Sequence, residues 1–196
     1  MNRVTPKSPD EVREILPAYD NIEASFGFVP TSMHVMAHRP PILEGFTQMA
    51  GAILGPGVVD AGLKQLVAHV VSRTTGCLYC QAHTGHRAHS LGVDEAKLQA
   101  VWEFESDDRF TAAERAALAL ARESALTPNA VTDAHFEALQ EHFDEAQIVE
   151  IVAVASLFGF LNRFNDTLAN ALEPEALAFG AAHLGAIGWE PGKHAE

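Results

Sequence analysis

Asp60-Ala61-Gly62-Leu63-Lys64-Gln65-Leu66-Val67-Ala68-His69-Val70-Val71-Ser72-Arg73-Thr74-Thr75-Gly76-Cys77-Leu78-Tyr79-Cys80-Gln81-Ala82-His83 is the stretch whose reading decides the fold. Asp60 is an N-cap residue, and Leu63, Leu66, Val67, Val70 and Val71 recur at three- and four-residue steps, the period of one buried helix face. The spacing predicts a helix from Ala61 to about Arg73, a break at Thr74-Thr75-Gly76, and a second helix from Cys77 to about Leu91. Gly92 stops that helix and Asp94 caps the next. Helices therefore lie on both sides of the cysteine pair.

The same punctuation extends outward in both directions. Ser8-Pro9-Asp10-Glu11 places a cap, a proline at the first helical position and a glutamate at the third ahead of Val12, Ile15 and Leu16. Phe26-Gly27-Phe28-Val29-Pro30 reads as a turn, followed by two helices parted at Pro40-Pro41 and ended by Gly55-Pro56-Gly57. Downstream, Thr111 with Glu114 forms a capping box, Thr132 or Asp133 caps another helix, and Asp144-Glu145-Ala146-Gln147 opens a long apolar helix through Phe158. Strand signals are almost absent, so the expected fold is all-α. The chain reads as a single domain over 1–196: a helical extension over 1–60, a core hairpin over 61–92, a second helical half over 94–172, and a tail over 173–196. In that tail Pro174, Gly185, Gly188 and Gly192 mark the end of regular structure. Laying Gln65-Leu66-Val67 on Gln147-Ile148-Val149, an offset of 82 residues, brings Cys77 onto Gly159 and Cys80 onto Asn162. This is the trace that duplication of a helical hairpin would leave.

At 196 residues the chain can bury a core without covalent staples. Acidic residues outnumber basic ones by 26 to 13, for a formal charge of -13. That sign speaks against nucleic acid and anionic membrane as partners, since both need clustered cations. Two cysteines are too few for a secreted disulfide framework. Met1-Asn2-Arg3-Val4-Thr5-Pro6 has neither an apolar core nor a cleavage site, and no eighteen-residue apolar run follows. The expected location is a reducing cytoplasm.

The cysteine pair carries the chemistry. A thiolate is the nucleophile, and the partial positive charge at a helix amino terminus favours it, which is where Cys77 falls. Cys80, three residues on, shares a helix face with it, within disulfide range. One sulfur could attack a peroxide and the other resolve the sulfenic acid. His83 lies a further three residues along, and Thr84 is on the face of Cys77. Three rival roles stay open for the pair. A thioredoxin-type site would follow a strand. Zinc would find ligand types in Cys77, Cys80, His83, His86 and His89, but steps of three drift by roughly 60° each around a helix, so one helix cannot close the tetrahedron. An inert packing pair is the third. His69, in an apolar stretch, reads as a hydrogen-bonded core residue ahead of a base. His86 and His89 read as exposed, and His135, His142, His183 and His194 as surface or satisfied polar residues.

The stretch from Leu63 to Leu91, with Ser72-Arg73-Thr74-Thr75-Gly76 before Cys77-Leu78-Tyr79-Cys80 and a histidine shortly after, resembles the AhpD-like alkylhydroperoxidases of the carboxymuconolactone decarboxylase superfamily. Gly27-Phe28-Val29-Pro30 and Pro40-Pro41-Ile42-Leu43-Glu44 look like its longer, peroxidase-related branch, and Glu114 to Asp166 match in pattern. The resemblance implies an AhpD-like helical bundle, assembly into homotrimers or hexamers, and reduction of a small hydroperoxide at the expense of an external thiol or dithiol, with no cofactor and no metal. By position, Cys80 would be peroxidatic and Cys77 resolving. The family's relay histidine falls at Thr84, so the role passes to His83; its relay glutamate falls at Gln65, an amide that can hold water but not accept a proton at neutral pH. His69, one turn from Gln65, could then serve as base. An apolar lining from Phe46, Leu66, Val70, Leu78 and Tyr79 fits organic hydroperoxides. The alternatives are a decarboxylase-like enzyme acting on a lactone or ring, which would not need the cysteines, and a non-enzymatic dithiol sensor.

Overall fold

Short-range capping positions the helices. Ser8, Thr111 and Asp144 each close a reciprocal box with the residue three further on, Glu11, Glu114 and Gln147, and Asp60 and Asp94 accept from the backbone N–H groups of Leu63 and Ala96. Each satisfies donors that a helix start leaves free. The computed structural model describes residues 2–195, and no strand occurs among them. The helices are α1 (Pro9–Ile15), α2 (Tyr19–Phe26), α3 (Thr31–Met36), α4 (Pro40–Leu54), α5 (Ala61–Thr74), α6 (Leu78–Ser90), α7 (Glu95–Gln99), α8 (Ala112–Ser124), α9 (Asp133–Gln140), α10 (Glu145–Leu168) and α11 (Pro174–Phe179). The expected hairpin is present as α5 and α6. α2 is an element beyond those expected; it closes on Gly27, whose φ of 88° suits a glycine C-cap.

α5 is the axis of the bundle. Every residue from Leu63 to Ser72 is buried, because α6, α8 and α10 cover it on three sides. Lys64 is among them. Its Nζ donates to the carbonyls of Ile53 and Gly55 at 2.9 Å each and pairs with Glu150 of α10, which makes burial of an ammonium tolerable. α10 is long and apolar enough to cross a membrane by length and composition, but Ile148, Ile151, Val154, Leu157, Phe158 and Leu161 are spent on the protein's own core. It runs unbroken through 156–158, onto which the 82-residue offset carries the break at Thr74-Thr75-Gly76.

Residues 173–195 correct the expectation of an irregular tail. α11 is followed by helical turns at Gly180–Leu184, Gly185–Ile187 and Gly192–His194, with Trp189 and His194 buried. Read locally, the glycines signal a breaker. In three dimensions Gly180 is where the Trp189 ring lies against the backbone, leaving no room for a Cβ, and Gly188 holds a φ of 85°. The Trp189 indole donates to the carbonyl of Leu78 at 3.0 Å, and Leu172 N–H donates to His194 O at 2.9 Å. The chain end is thereby tied to the start of α6.

Candidate active site

Gly76, at φ 75°, turns the chain between α5 and α6, and Cys77 is the N-cap of α6 with its N–H donated to Ser72 O at 3.0 Å. Both thiols are free and buried, Cys77 at 1% and Cys80 at 2% exposure. They are neighbours. Asn165 of α10 donates from Nδ2 to Cys80 Sγ at 3.3 Å. Burial pushes the Cys80 thiol well above its ordinary value, the neighbouring Cys77 adds to that, and the Asn165 amide works in the opposite direction.

His83 is held elsewhere than on a sulfur. Its ring stacks on Tyr79 at 4.1 Å between centroids, Nδ1 faces the Tyr79 carbonyl at 2.8 Å, and Nε2 lies 2.7 Å from Glu173 Oε2 in an ion pair poorly aligned for a hydrogen bond. Among the described residues His83 has no hydrogen bond to either cysteine. The carbonyl can only accept, so Nδ1 carries a proton, and the carboxylate beside Nε2 favours a second. Burial opposes charge on His83, but Glu173 outweighs it and raises its pKa. Burial likewise pushes Glu173 upward, and the His83 charge with the Thr31 N–H overcomes it, lowering the carboxyl to about 2. Tyr79 donates from its hydroxyl to Glu173 Oε1 at 3.0 Å.

His69 lies on the far side of α6. Nδ1 faces Thr84 Oγ1 at 2.9 Å, and that hydroxyl gives its own proton to the Cys80 carbonyl at 2.7 Å, so Nδ1–H donates. Complete burial, with the charge of Arg73, lowers the His69 pKa to about 4, making a neutral core histidine. It lines a cavity of about 110 Å³ with Arg73, Leu78, Gln81 and Trp189. Gln65 is buried on α5 a turn before His69. Phe46, Val70 and Tyr79 are core residues; Leu78 reaches that cavity, and Leu66, though buried, lines a separate one of about 430 Å³ with Asp60, Leu91 and Lys97. His86 is half-buried among Phe26, Phe28 and Phe179, and His89 is exposed.

Three residues absent from the sequence-based candidates stand at the dithiol, Asn165, Asp166 and His194, and a fourth, Glu173, holds Tyr79 and His83. The Cys77 sulfur, an Asp166 carboxylate oxygen and a His194 ring nitrogen lie within 4.8 Å of one another. Asp166 also pairs with Lys193 at 2.7 Å and lines a cavity of about 330 Å³ with Thr75, Asn162 and Arg163. One signal is readable in the sequence: Asn162, Asn165 and Asp166 interrupt an otherwise apolar helix, and buried amides in such a stripe need partners.

Residues 40–123 match the carboxymuconolactone decarboxylase family. The chain is 30% identical to the debrominase Bmp8, covering 90% of this chain and 95% of that one with a TM-score of 0.83. A cysteine-to-alanine variant of Bmp8 in complex with 2,3,4-tribromopyrrole superposes with a TM-score of 0.85 at 29% identity, covering 94% and 96%. The AhpD core of an uncharacterized peroxidase-related protein from Ralstonia eutropha shares the fold, with a TM-score of 0.78 at 24% identity over 89% of this chain and 94% of that one. The uncharacterized protein YdfG of Bacillus subtilis is 28% identical over 114 residues, 57% of this chain and 77% of its own length.

Proposed function

The chain belongs to the carboxymuconolactone decarboxylase and AhpD superfamily, and from that premise we propose that it is a thiol-dependent reductase whose electrons come from Cys77 and Cys80, with organic hydroperoxides as substrate class. The observation that carries this reading is the free, adjacent dithiol at the start of α6 with an amide donor on Cys80. The Cys80 sulfur attacks the terminal peroxide oxygen, the O–O bond breaks, and the alcohol leaves with a proton. Cys77 then displaces the hydroxyl of the Cys80 sulfenic acid as water, and a disulfide forms. An external thiol or dithiol returns the two electrons. In this scheme His83 is a positioning residue that fixes Tyr79 and the start of α6. The test is peroxide consumption with a thiol reductant. Cys80→Ser and Cys77→Ser should both lose turnover, and Cys77→Ser should accumulate sulfenic acid on Cys80, detected by dimedone labelling and mass. Unchanged consumption in both variants would end the proposal.

The likeness to Bmp8 favours a second reading of the same dithiol: reduction of a small halogenated aromatic, in which a carbon–bromine bond becomes carbon–hydrogen, bromide leaves and the disulfide forms. Bromide release from 2,3,4-tribromopyrrole, measured beside peroxide consumption, separates the two. Turnover of a lactone that survives loss of both cysteines would place the chain among decarboxylases instead. Assembly into a trimer or hexamer is part of the proposal, supported by the exposed apolar side chains of Met49 on α4 and Val149, Val152 and Phe160 on α10.

A further inference from the structure

His194 is a buried histidine two residues from the chain end, and the tail delivers it to the dithiol. Its side chain is fully buried, although the nearest sequence features are glycines, a proline and a surface lysine. Nδ1 lies 2.7 Å from the carbonyl of Asn170, which can only accept, so Nδ1 carries the proton. In the neutral ring Nε2 is then a bare lone pair. Nε2 is buried without a hydrogen-bond partner, 3.5 Å from Asp166 Oδ1 and in the cluster that contains the Cys77 sulfur. An unpartnered buried acceptor calls for a donor, and the Cys77 thiol, whose sulfur lies within 4.8 Å of a His194 ring nitrogen, is the candidate.

We propose that His194 is the general base of the dithiol, accepting the proton of Cys77 at Nε2. This rests on the dithiol reading above. In the closing step the Cys77 S–H proton moves to His194, and the Cys77 sulfur attacks the sulfur of oxidised Cys80. The S–O bond breaks, and the departing hydroxide takes the proton back from His194 as water. No oxidant beyond the peroxide is needed. The groups facing the imidazole are Asp166 from α10, Lys193 beside it in the tail, and Cys77 and Tyr79 from α6. Burial lowers the His194 pKa despite the Asn170 carbonyl and Asp166, which act the other way, so the ring is neutral at pH 7 and ready to accept. Lys193 compensates the Asp166 charge beside the forming thiolate. The same three donors fall one short of a closed tetrahedral zinc shell, and the Lys193 ammonium already occupies the carboxylate.

The test reads Cys77 without any peroxide, so it stands apart from the choice of substrate. In a Cys80→Ser background, the alkylation rate of Cys77 by iodoacetamide is followed from pH 5 to 9. With His194→Gln added, the rate at pH 7 should fall at least tenfold and its pH midpoint should move upward; an unchanged profile overturns the proposal. Against misfolding of that variant, nitrogen-15 NMR of the reduced wild-type protein reports the tautomer directly. A protonated Nδ1 with a bare Nε2 is expected, and a protonated Nε2 overturns the proposal, as does stoichiometric zinc that is lost in His194→Gln. In the single variant, closure of the Cys77–Cys80 disulfide after one equivalent of peroxide should slow by about 10²-fold or more. Normal closure with slow alkylation would also count against it.

Discussion

His83 with Glu173 and His194 with Asp166 are two imidazole–carboxylate pairs, one built on the helix that carries Cys80 and one at the Cys77 sulfur, and their surroundings shift the two rings in opposite directions. His83 has its carboxylate at 2.7 Å, on a residue only 9% exposed, and that charge raises its pKa. His194 has its carboxylate at 3.5 Å, half-exposed and shared with Lys193, and burial lowers its pKa. Both rings face a backbone carbonyl at Nδ1, so the carboxylate beside Nε2 separates them, by how close it lies, how buried it is and whether a lysine shares its charge. The histidine that the CxxC motif suggests, His83 three residues after Cys80, is the one whose carboxylate favours the charged form, which has no lone pair to accept a proton.

Removing one charge from each pair should break the symmetry most visibly. Glu173→Gln keeps the shape but strands the His83 cation in a buried pocket, and unfolding in urea at pH 6 should show a loss of about 3–5 kcal/mol. A loss below about 1 kcal/mol would mean that His83 is neutral, and the contrast with His194 would collapse. The same contrast predicts a pH dependence. Glu173, lowered to about 2 in the fold, contributes stability that is present above its ordinary value of 4.5 and lost as pH falls toward 2. His83, raised in the fold, contributes stability that is full below 6.5 and lost as pH rises through its folded pKa. The pair is therefore fully effective between about pH 4.5 and 6.5, and Glu173→Gln should differ from wild type most in that window.

His69, lowered to about 4 and buried neutral, has the opposite sign. Its contribution falls as pH drops below 6.5, by roughly 2–3 kcal/mol once pH reaches 4, and His69→Gln should remove that part of the acid loss in urea titrations. Asn165→Ala removes the amide donor from Cys80 Sγ and should slow alkylation of Cys80 several-fold, near the ~1 kcal/mol of one hydrogen bond. The smallest effect belongs to Asp166→Asn. With the carboxylate half-exposed and paired to an exposed lysine, thermal stability should change by less than about 1 kcal/mol, in contrast to Glu173→Gln.

Much of the scaffold is legible in the sequence. The boxes at Ser8, Thr111 and Asp144, the Asp60 and Asp94 caps and the α5–α6 hairpin involve partners within three or four residues, where local hydrogen bonding leaves few alternatives. The position of the two cysteines at the start of α6 follows from the same local rules. The tail is not legible in this way, because glycine tolerates both a break and a close approach, and only the presence of Trp189 over Gly180 distinguishes them.

By itself the sequence determined most of the helices and their caps, though not α2 or α11, and that two thiols sit three residues apart at one helix start. Tertiary structure alone decided their surroundings. Asn165 reaches Cys80 across 85 residues, and Glu173 reaches Tyr79 across 94. Asp166 and His194 arrive at Cys77 from α10 and from the chain end. Helix periodicity and caps act over a turn, whereas the protonation of a buried histidine depends on acceptors that only the packed chain brings to its ring.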